Sequence, residues 1–384
     1  MKKILGIVFL SLLSGCLETP KGNLPSISQG EIDMEAERQK RITYTKYINQ
    51  MSLVKEIGYK INYSNAEICN KVDYASAITY ANKYSLGEKK AKFFPTELNL
   101  SSKISIINIV KNSPAEKSGL QLGDKILQIG DYEFPEGKNA LKKISKFFSK
   151  IEKQELDKIK IERNGQIRTF EFKKDKICDY PIILTQDNIV NAFADGKKII
   201  MTQGIVDYAK DNNEIALIVG HEIAHNDRGH IDAKKKNTLV MGSVGFILDM
   251  MTIYYSGGTS GGNAENTEMW SKIGSEAFSV DFEKDADYGG VYYAVRAGYD
   301  ISNANAFWER MGAANPKSIA FNSSHPATAE RYLQIRKTVD EINKKNAQGL
   351  ALIPNEKNDL KIDEKPTEKK KKKFNIKNVF KKKT

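Results

Sequence analysis

Apolar positions between residues 32 and 62 recur at helical spacing. Tyr44, Tyr47, Ile48, Met51, Val54, Ile57 and Ile61 fall on one side, with charges between them, which predicts a long helix laid on a core. The texture then changes. Ile104 to Val110 reads as a strand and Ile126 to Ile129 as another; Leu141, Ile144, Phe147 and Phe148 mark a short helix. Two alternating runs, Ile159–Arg163 and Gln166–Phe170, flank Asn164-Gly165, the signature of a hairpin closed by a type I′ turn. Ile182–Thr185 and Lys198–Thr202 read as further short strands. Asp211 and Glu214 then open a helix in capping-box fashion, through Ile215, Leu217, Ile218 and Val219. Thr238 to Tyr255 is an apolar run with one charge, Asp249. It is of marginal length to cross a membrane, and a buried or membrane-leaning hairpin helix is the favoured reading. Ser256–Asn263 reads as a loop. The fold class expected is α+β.

Composition changes this picture at the two ends. Net charge is +12 over 384 residues, but 361–384 alone carries 11 Lys against Asp363, Glu364 and Glu368. The folded part is therefore near neutral. The tail from 351 is expected to be a solvated basic segment, or one that docks on anionic headgroups with Phe374, Ile376, Val379 and Phe380 dipping in. At the other end, Lys2 and Lys3 precede an apolar stretch from Ile4 to Leu13, which reads as a signal peptide. Leu13-Ser14-Gly15-Cys16 resembles the lipobox of bacterial lipoproteins, which implies lipidation of Cys16 and a flexible tether over 16–30. The chain is then expected in the bacterial cell envelope, held to the membrane through Cys16, and on the periplasmic side of the outer membrane if the organism is Gram-negative. Nucleic acid is not an expected partner. Cys69 and Cys178 remain; in an exported chain they form a candidate disulfide, with two buried thiols as the alternative.

The chemistry centres on His221-Glu222-Ile223-Ala224-His225. On a helix the two imidazoles share a face and can hold one ion, and Glu222 can reach water on it. The chain has four histidines in all. A zinc site of this kind needs a third protein ligand, and Glu283-Lys284-Asp285-Ala286-Asp287 supplies Glu-x-x-Ala-Asp. Glu283 can ligate, and Asp287 can fix the tautomer of a ligand histidine.

These blocks, with Asn191-Ala192-Phe193 before them and His325-Pro326 to Glu330-Arg331 after, together resemble the HtpX-like and CAAX-prenyl-protease-type zinc metallopeptidases. The similarity runs over about 180–340 and is nearest to an exported lipoprotein branch, BepA-like in its catalytic part. Ser113-Pro114-Ala115-x-x-Ser118-Gly119-Leu120-x-x-Gly123-Asp124 resembles a PDZ domain, whose carboxylate-binding loop is expected near Tyr84–Gly87. The resemblance implies one Zn²⁺ held by His221, His225 and Glu283, with Glu222 as general base. It also implies His325 over the metal, as a catalytic donor or a latch. Arg331 would anchor the His-Pro segment on an acid such as Asp287, and Asn191, Ala192 and Phe193 would form the edge strand that pairs with substrate. His230 receives no duty beyond that of a surface or capping residue.

The expected organisation is a signal peptide (1–15), tether (16–30), helical part of the protease (31–83), PDZ domain (84–176), metallopeptidase domain (177–350) and basic tail (351–384). The function implied is a lipid-anchored zinc metalloendopeptidase acting on misfolded or stalled envelope proteins. A non-proteolytic chaperone or PDZ adaptor with a zinc site is the alternative. Protein or peptide substrates are the expected partners, and oligomeric state is left open.

Overall fold

The structure, a computed structural model, describes residues 22, 24–149, 154–241, 278–314, 325 and 328–356. The signal segment, Cys16, most of the apolar run, the following loop and the basic tail beyond 356 lie outside these. Among the described residues no helix is long and apolar enough to cross a membrane.

Helix α1 spans Gln29–Ser64, opened by a capping box in which Ser28 and Glu31 satisfy each other's backbone amides. Its second half buries Ile48, Met51, Val54, Ile57 and Ile61, as the spacing requires. The chain then makes β1 (Val72–Ala75) and β2 (Ile78–Ala81), two 3₁₀ turns, β3 (Ser105–Ile109), α2 (Pro114–Lys117), β4 (Lys125–Ile129), β5 (Tyr132–Glu133) and α3 (Ala140–Phe148). The hairpin of β6 (Leu156–Arg163) and β7 (Gln166–Lys173) follows. Asn164 and Gly165 both have positive φ, 54° and 76°, as a type I′ turn demands.

Strands β2-β3-β4-β6-β7 form one sheet in that order, with β5 added on β4. It has its own core of Ile104, Ile106, Leu120, Ile126, Ile159 and Ile161. The sheet begins earlier than expected. Strand β2 lies before residue 84 but belongs to it by pairing with β3.

The chain leaves this module by β8 (Asp175–Cys178), which pairs antiparallel with β1. Entry and exit strands thus form one ribbon, and the Cys69–Cys178 disulfide closes it, with Cα atoms 5.7 Å apart.

The second body contains β9 (Ile182–Thr185), β10 (Ala192–Ala194), β11 (Ile199–Thr202), α4 (Gln203–Tyr208), α5 (Asn212–Asp227) and α6 (His230–Met241). After the undescribed stretch come α7 (Val280–Arg296), α8 (Ala306–Ala314) and α9 (Ala329–Ala347). The small sheet runs β10-β11-β9, with β10 on its edge. Helix α1 packs on α5, β8 and β9 and shares their core, so this body is built from chain on both sides of the inserted module.

Helices α5 and α7 make the most extensive helix pair. They cross at Gly220 and Gly290, where a Cβ on Gly220 would stand 2.5 Å from the Gly290 carbonyl oxygen. Only glycine lets the backbones approach this closely.

Candidate active site

Asp211 caps α5 by accepting from the amides of Asn213 and Glu214. The Glu214 carboxylate does not return to the cap amide. It accepts from the Lys210 amide and pairs with Arg310 at 2.6 Å. Helix α5 is buried along nearly its whole length and presents His221 and His225 to α7. There Glu283 and Asp287 sit one turn apart, with Glu283 fully buried.

The Nε2 atoms of His221 and His225 face each other at 3.1 Å. Glu283 places its oxygens 3.5 Å from the first and 3.4 Å from the second. His325 brings Nδ1 to 3.3 Å from His221 Nε2 and 2.9 Å from Glu283 Oε1. One ligand atom from each of these four residues lies within 4.8 Å of all the others.

This set fits a metal. Two unprotonated ring nitrogens pointed at one another repel unless a proton or cation lies between them. Three imidazoles and a carboxylate are a zinc donor set. Glu222, 1% exposed, leaves Oε2 without a hydrogen-bond partner among the described residues, as suits a carboxylate waiting for a ligand or water. It stands 3.4 Å from His325 Nε2.

The shell behind the cluster is ionic. Asp287 approaches His221 Nδ1 at 2.9 Å, off the ideal line. Arg331, buried at the start of α9, donates to both Asp287 oxygens, at 2.7 and 2.8 Å, and pairs with Glu283 at 2.9 Å. Its guanidinium lies over the Trp308 ring.

Burial opposes charge on Glu283 and Asp287. The neighbouring His325 and Arg331 overcome it at Glu283, and Arg331 does so at Asp287, holding both carboxyls below the usual range. Burial raises the Glu222 carboxyl, against the charges of His325 and His221. Burial also disfavours a charged His221, but hydrogen bonding to Asp287 and Glu283 outweighs it and lifts the imidazole to about 9. Burial takes His225 down to about 3.

Phe193 and Ala192 lie in β10, and Asn191 just precedes it, exchanging hydrogen bonds with Thr202. Strand β10 packs on α5, and its outer edge has no strand partner among the described residues.

His230 is where the sequence reading fails. It is not a surface residue; it is 3% exposed. Its Nδ1 lies 3.1 Å from His225 Nδ1, its Nε2 lies 3.0 Å from Asp285 Oδ2, and Asp285 is held by Arg228 at 2.7 Å. The signal available was the fifth position after His225, preceded by Gly229. That glycine, at φ 70°, ends α5 and turns His230 back onto it.

Residues 153–339 match Peptidase family M48 and residues 88–173 match the PDZ domain family. The two matches overlap on β6 and β7, which the sheet assigns to the module. The chain is similar to the mitochondrial metalloendopeptidase OMA1 of Schizosaccharomyces pombe, 30% identical over 161 residues, which is 41% of this chain and 45% of that protein. It is also similar to OMA1 of Arabidopsis thaliana, 25% identical over 40% of this chain and 30% of that one. The human OMA1 is 24% identical over 40% and 31% respectively. The chain therefore spans less than half the length of these relatives. The four-residue cluster and its ionic shell all fall inside the M48 match, so this stretch of the chain is similar to Peptidase family M48 and the inserted sheet to the PDZ domain family.

Proposed function

We propose that the protein is a zinc metalloendopeptidase of the bacterial cell envelope, lipid-anchored through Cys16, that hydrolyses misfolded or stalled envelope proteins. The observation that carries the peptidase reading is the convergence of His221, His225, Glu283 and His325 around one point beside a buried, half-unpartnered Glu222. When bound, zinc would supply Lewis acidity to a scissile carbonyl and lower the pKa of an attacking water to about 7.

The chain's own residues do the rest. His221, His225 and Glu283 would hold the ion. Asp287 and Arg331 orient His221 and Glu283. Glu222 accepts the proton of the attacking water and returns it to the leaving amine. The outer edge of β10 offers backbone groups to an extended substrate. His325, already within hydrogen-bonding distance of the cluster, would either donate to the developing oxyanion or take the fourth position on the metal and block the water, keeping the site shut until a peptide arrives.

The envelope placement is supported by the lipobox-like Leu13–Cys16 and by the Cys69–Cys178 disulfide, since such bonds persist in oxidising compartments. The curated relatives are named metalloendopeptidases, which supports the reaction class. Glu222→Gln tests the mechanism. Casein cleavage should fall at least about 10³-fold, with one zinc per chain retained. Retained cleavage would remove Glu222 from the reaction.

A further inference from the structure

Strand β10 and helix α5 are fastened together by Asn226, the residue that follows the second histidine of the motif. Its side chain is buried, with the residue 7% exposed. Asn226 Oδ1 accepts from the Gly196 amide at 2.7 Å, and Nδ2 donates to the Lys198 carbonyl at 3.1 Å. Both polar ends of one side chain therefore hold the turn that joins β10 to β11. That turn is also closed on itself. The Asp195 carboxylate accepts from the amides of Lys197 and Lys198, and the Asp195 amide donates to the Lys198 carbonyl at 3.2 Å. Asn226 thus grips a preformed unit.

A second contact lies one turn back along α5, where the Ala194 amide faces the Glu222 carboxylate. Residues 222 and 226 are about 6.0 Å apart along a helix axis. Residues 194 and 196 span at most about 6.7 Å of extended chain. The two repeats match, so β10 lies along α5 in a set register.

The register matters because of what the free edge of β10 carries. Asn191 and Asp195 bond across to β11, through the Thr202 amide and the Lys198 carbonyl. Residues alternate along an antiparallel pair, so Ala192 and Ala194 turn their backbone groups to the open side. Ala194 does so beside Glu222. An extended peptide added there is placed against the general base according to where β10 sits on α5.

We propose, resting on the peptidase reading, that Asn226 is a positioning residue: it fixes the register of β10 on α5 and so selects which bond of a bound peptide comes to the metal. Held in place, β10 admits one register of the peptide. Loosened, it lets neighbouring registers compete. These lie two residues away on either side, because a shift of one would turn every side chain to the other face.

The test is the pattern of cuts that the full chain makes in oxidised insulin B chain, with products mapped by mass spectrometry. Asn226→Leu keeps the volume and neither hydrogen bond. In it the ratio of cuts at the main bond to cuts two residues away should fall about tenfold, the weight of two net hydrogen bonds. KM at the main bond should rise about three- to tenfold, with kcat changed less. Asn226→Asp keeps the acceptor for Gly196 and loses the donor to Lys198. Its ratio should fall between the two, and it decides the matter if the leucine variant does not fold. Zinc affinity, read by chelator competition, should stay within about threefold of the wild type in both variants, since the Asn226 side chain bonds the turn and not a ligand. A uniform loss of all products at an unchanged ratio, or a ratio that moves only together with zinc affinity, would overturn the proposal. Absence of any cleavage by the wild-type chain would overturn the peptidase reading and this role with it, whereas cleavage at an unchanged ratio in both variants overturns this role alone.

Discussion

Gly220 and Gly290 meet backbone to backbone at the crossing of α5 and α7, and the residue they bring into line is His221. A Cβ placed on Gly290 would lie 2.7 Å from the His221 amide nitrogen and 2.8 Å from its Cα. The distance between the two histidine ligands on α5 and Glu283 on α7 is therefore set by two absent side chains. Gly290→Ala should force the helices apart, cost about 1–3 kcal/mol of stability, and weaken zinc binding at least tenfold in competition with a chromophoric chelator. Unchanged zinc affinity would show that α7 can shift without carrying Glu283 away.

Asp287 faces His221 and Arg331 at once. Asp287→Asn should weaken zinc binding by about 10- to 100-fold, as loss of a ligand's orienting partner does. It also leaves a buried Arg331 with less compensation, so the fold should lose about 3–5 kcal/mol. Adding Arg331→Met should restore part of the stability but not the zinc affinity. Strictly additive losses in a denaturation cycle would show that the two side chains act independently.

His230 tests whether the second nitrogen of His225 matters. If His225 holds the metal through Nε2, its Nδ1 carries the proton and donates to His230 Nδ1, which leaves His230 Nε2–H to donate to Asp285. His230→Leu removes the acceptor and should raise the zinc dissociation constant about 10- to 100-fold. His230→Asn keeps an acceptor near the Nδ1 position and should stay within about threefold of the wild type. Equal losses in both variants would mean the histidine serves packing alone.

Zinc uptake should release a proton. The His221 imidazole, raised to about 9 in the metal-free fold, holds its proton at neutral pH, and a metal ligand must be unprotonated. Apparent zinc affinity should therefore climb about tenfold per pH unit between 6.5 and 9 and level off above. By the same sign, His221 stabilises the metal-free fold fully below its unfolded value near 6.5, and that contribution disappears as pH rises through about 9. A pH-independent affinity over this range would show that His221 is already neutral.

The Cys69–Cys178 bond spans 109 residues. A loop of that length should contribute roughly 4–5 kcal/mol by restricting the unfolded chain. Unfolding in denaturant with and without reductant measures it, and a difference under about 1 kcal/mol would mean the ribbon of β1 and β8 suffices.

Much of this was legible in the sequence because it depends on local periodicity or local chemistry. The spacing from Tyr44 to Ile61 gives α1, Asn164-Gly165 gives the hairpin, Asp211 gives the start of α5, and His221–His225 needs only the helical repeat. What escaped depends on chain reversal. His230 is five positions past His225, the wrong spacing for a shared helix face, and only the positive φ of Gly229 returns it. All four histidines of the chain thus converge, two of them through folds that no periodicity announces. Strands β1 and β8 are four residues each and pair across the whole module. Neither alternates cleanly, so neither reads as a strand until its partner is known.

The ribbon has a mechanical meaning. Both crossings between the bodies run side by side through a single neck, cross-linked at its base. The module does not hang on this neck alone: Tyr44 of α1 packs on Phe93 and Phe94, and Lys92 pairs with Glu37. Strand β8 bears directly on α1, and α1 lies against α5. The module therefore meets α1 at two places, and α1 lies on the helix that carries the histidines.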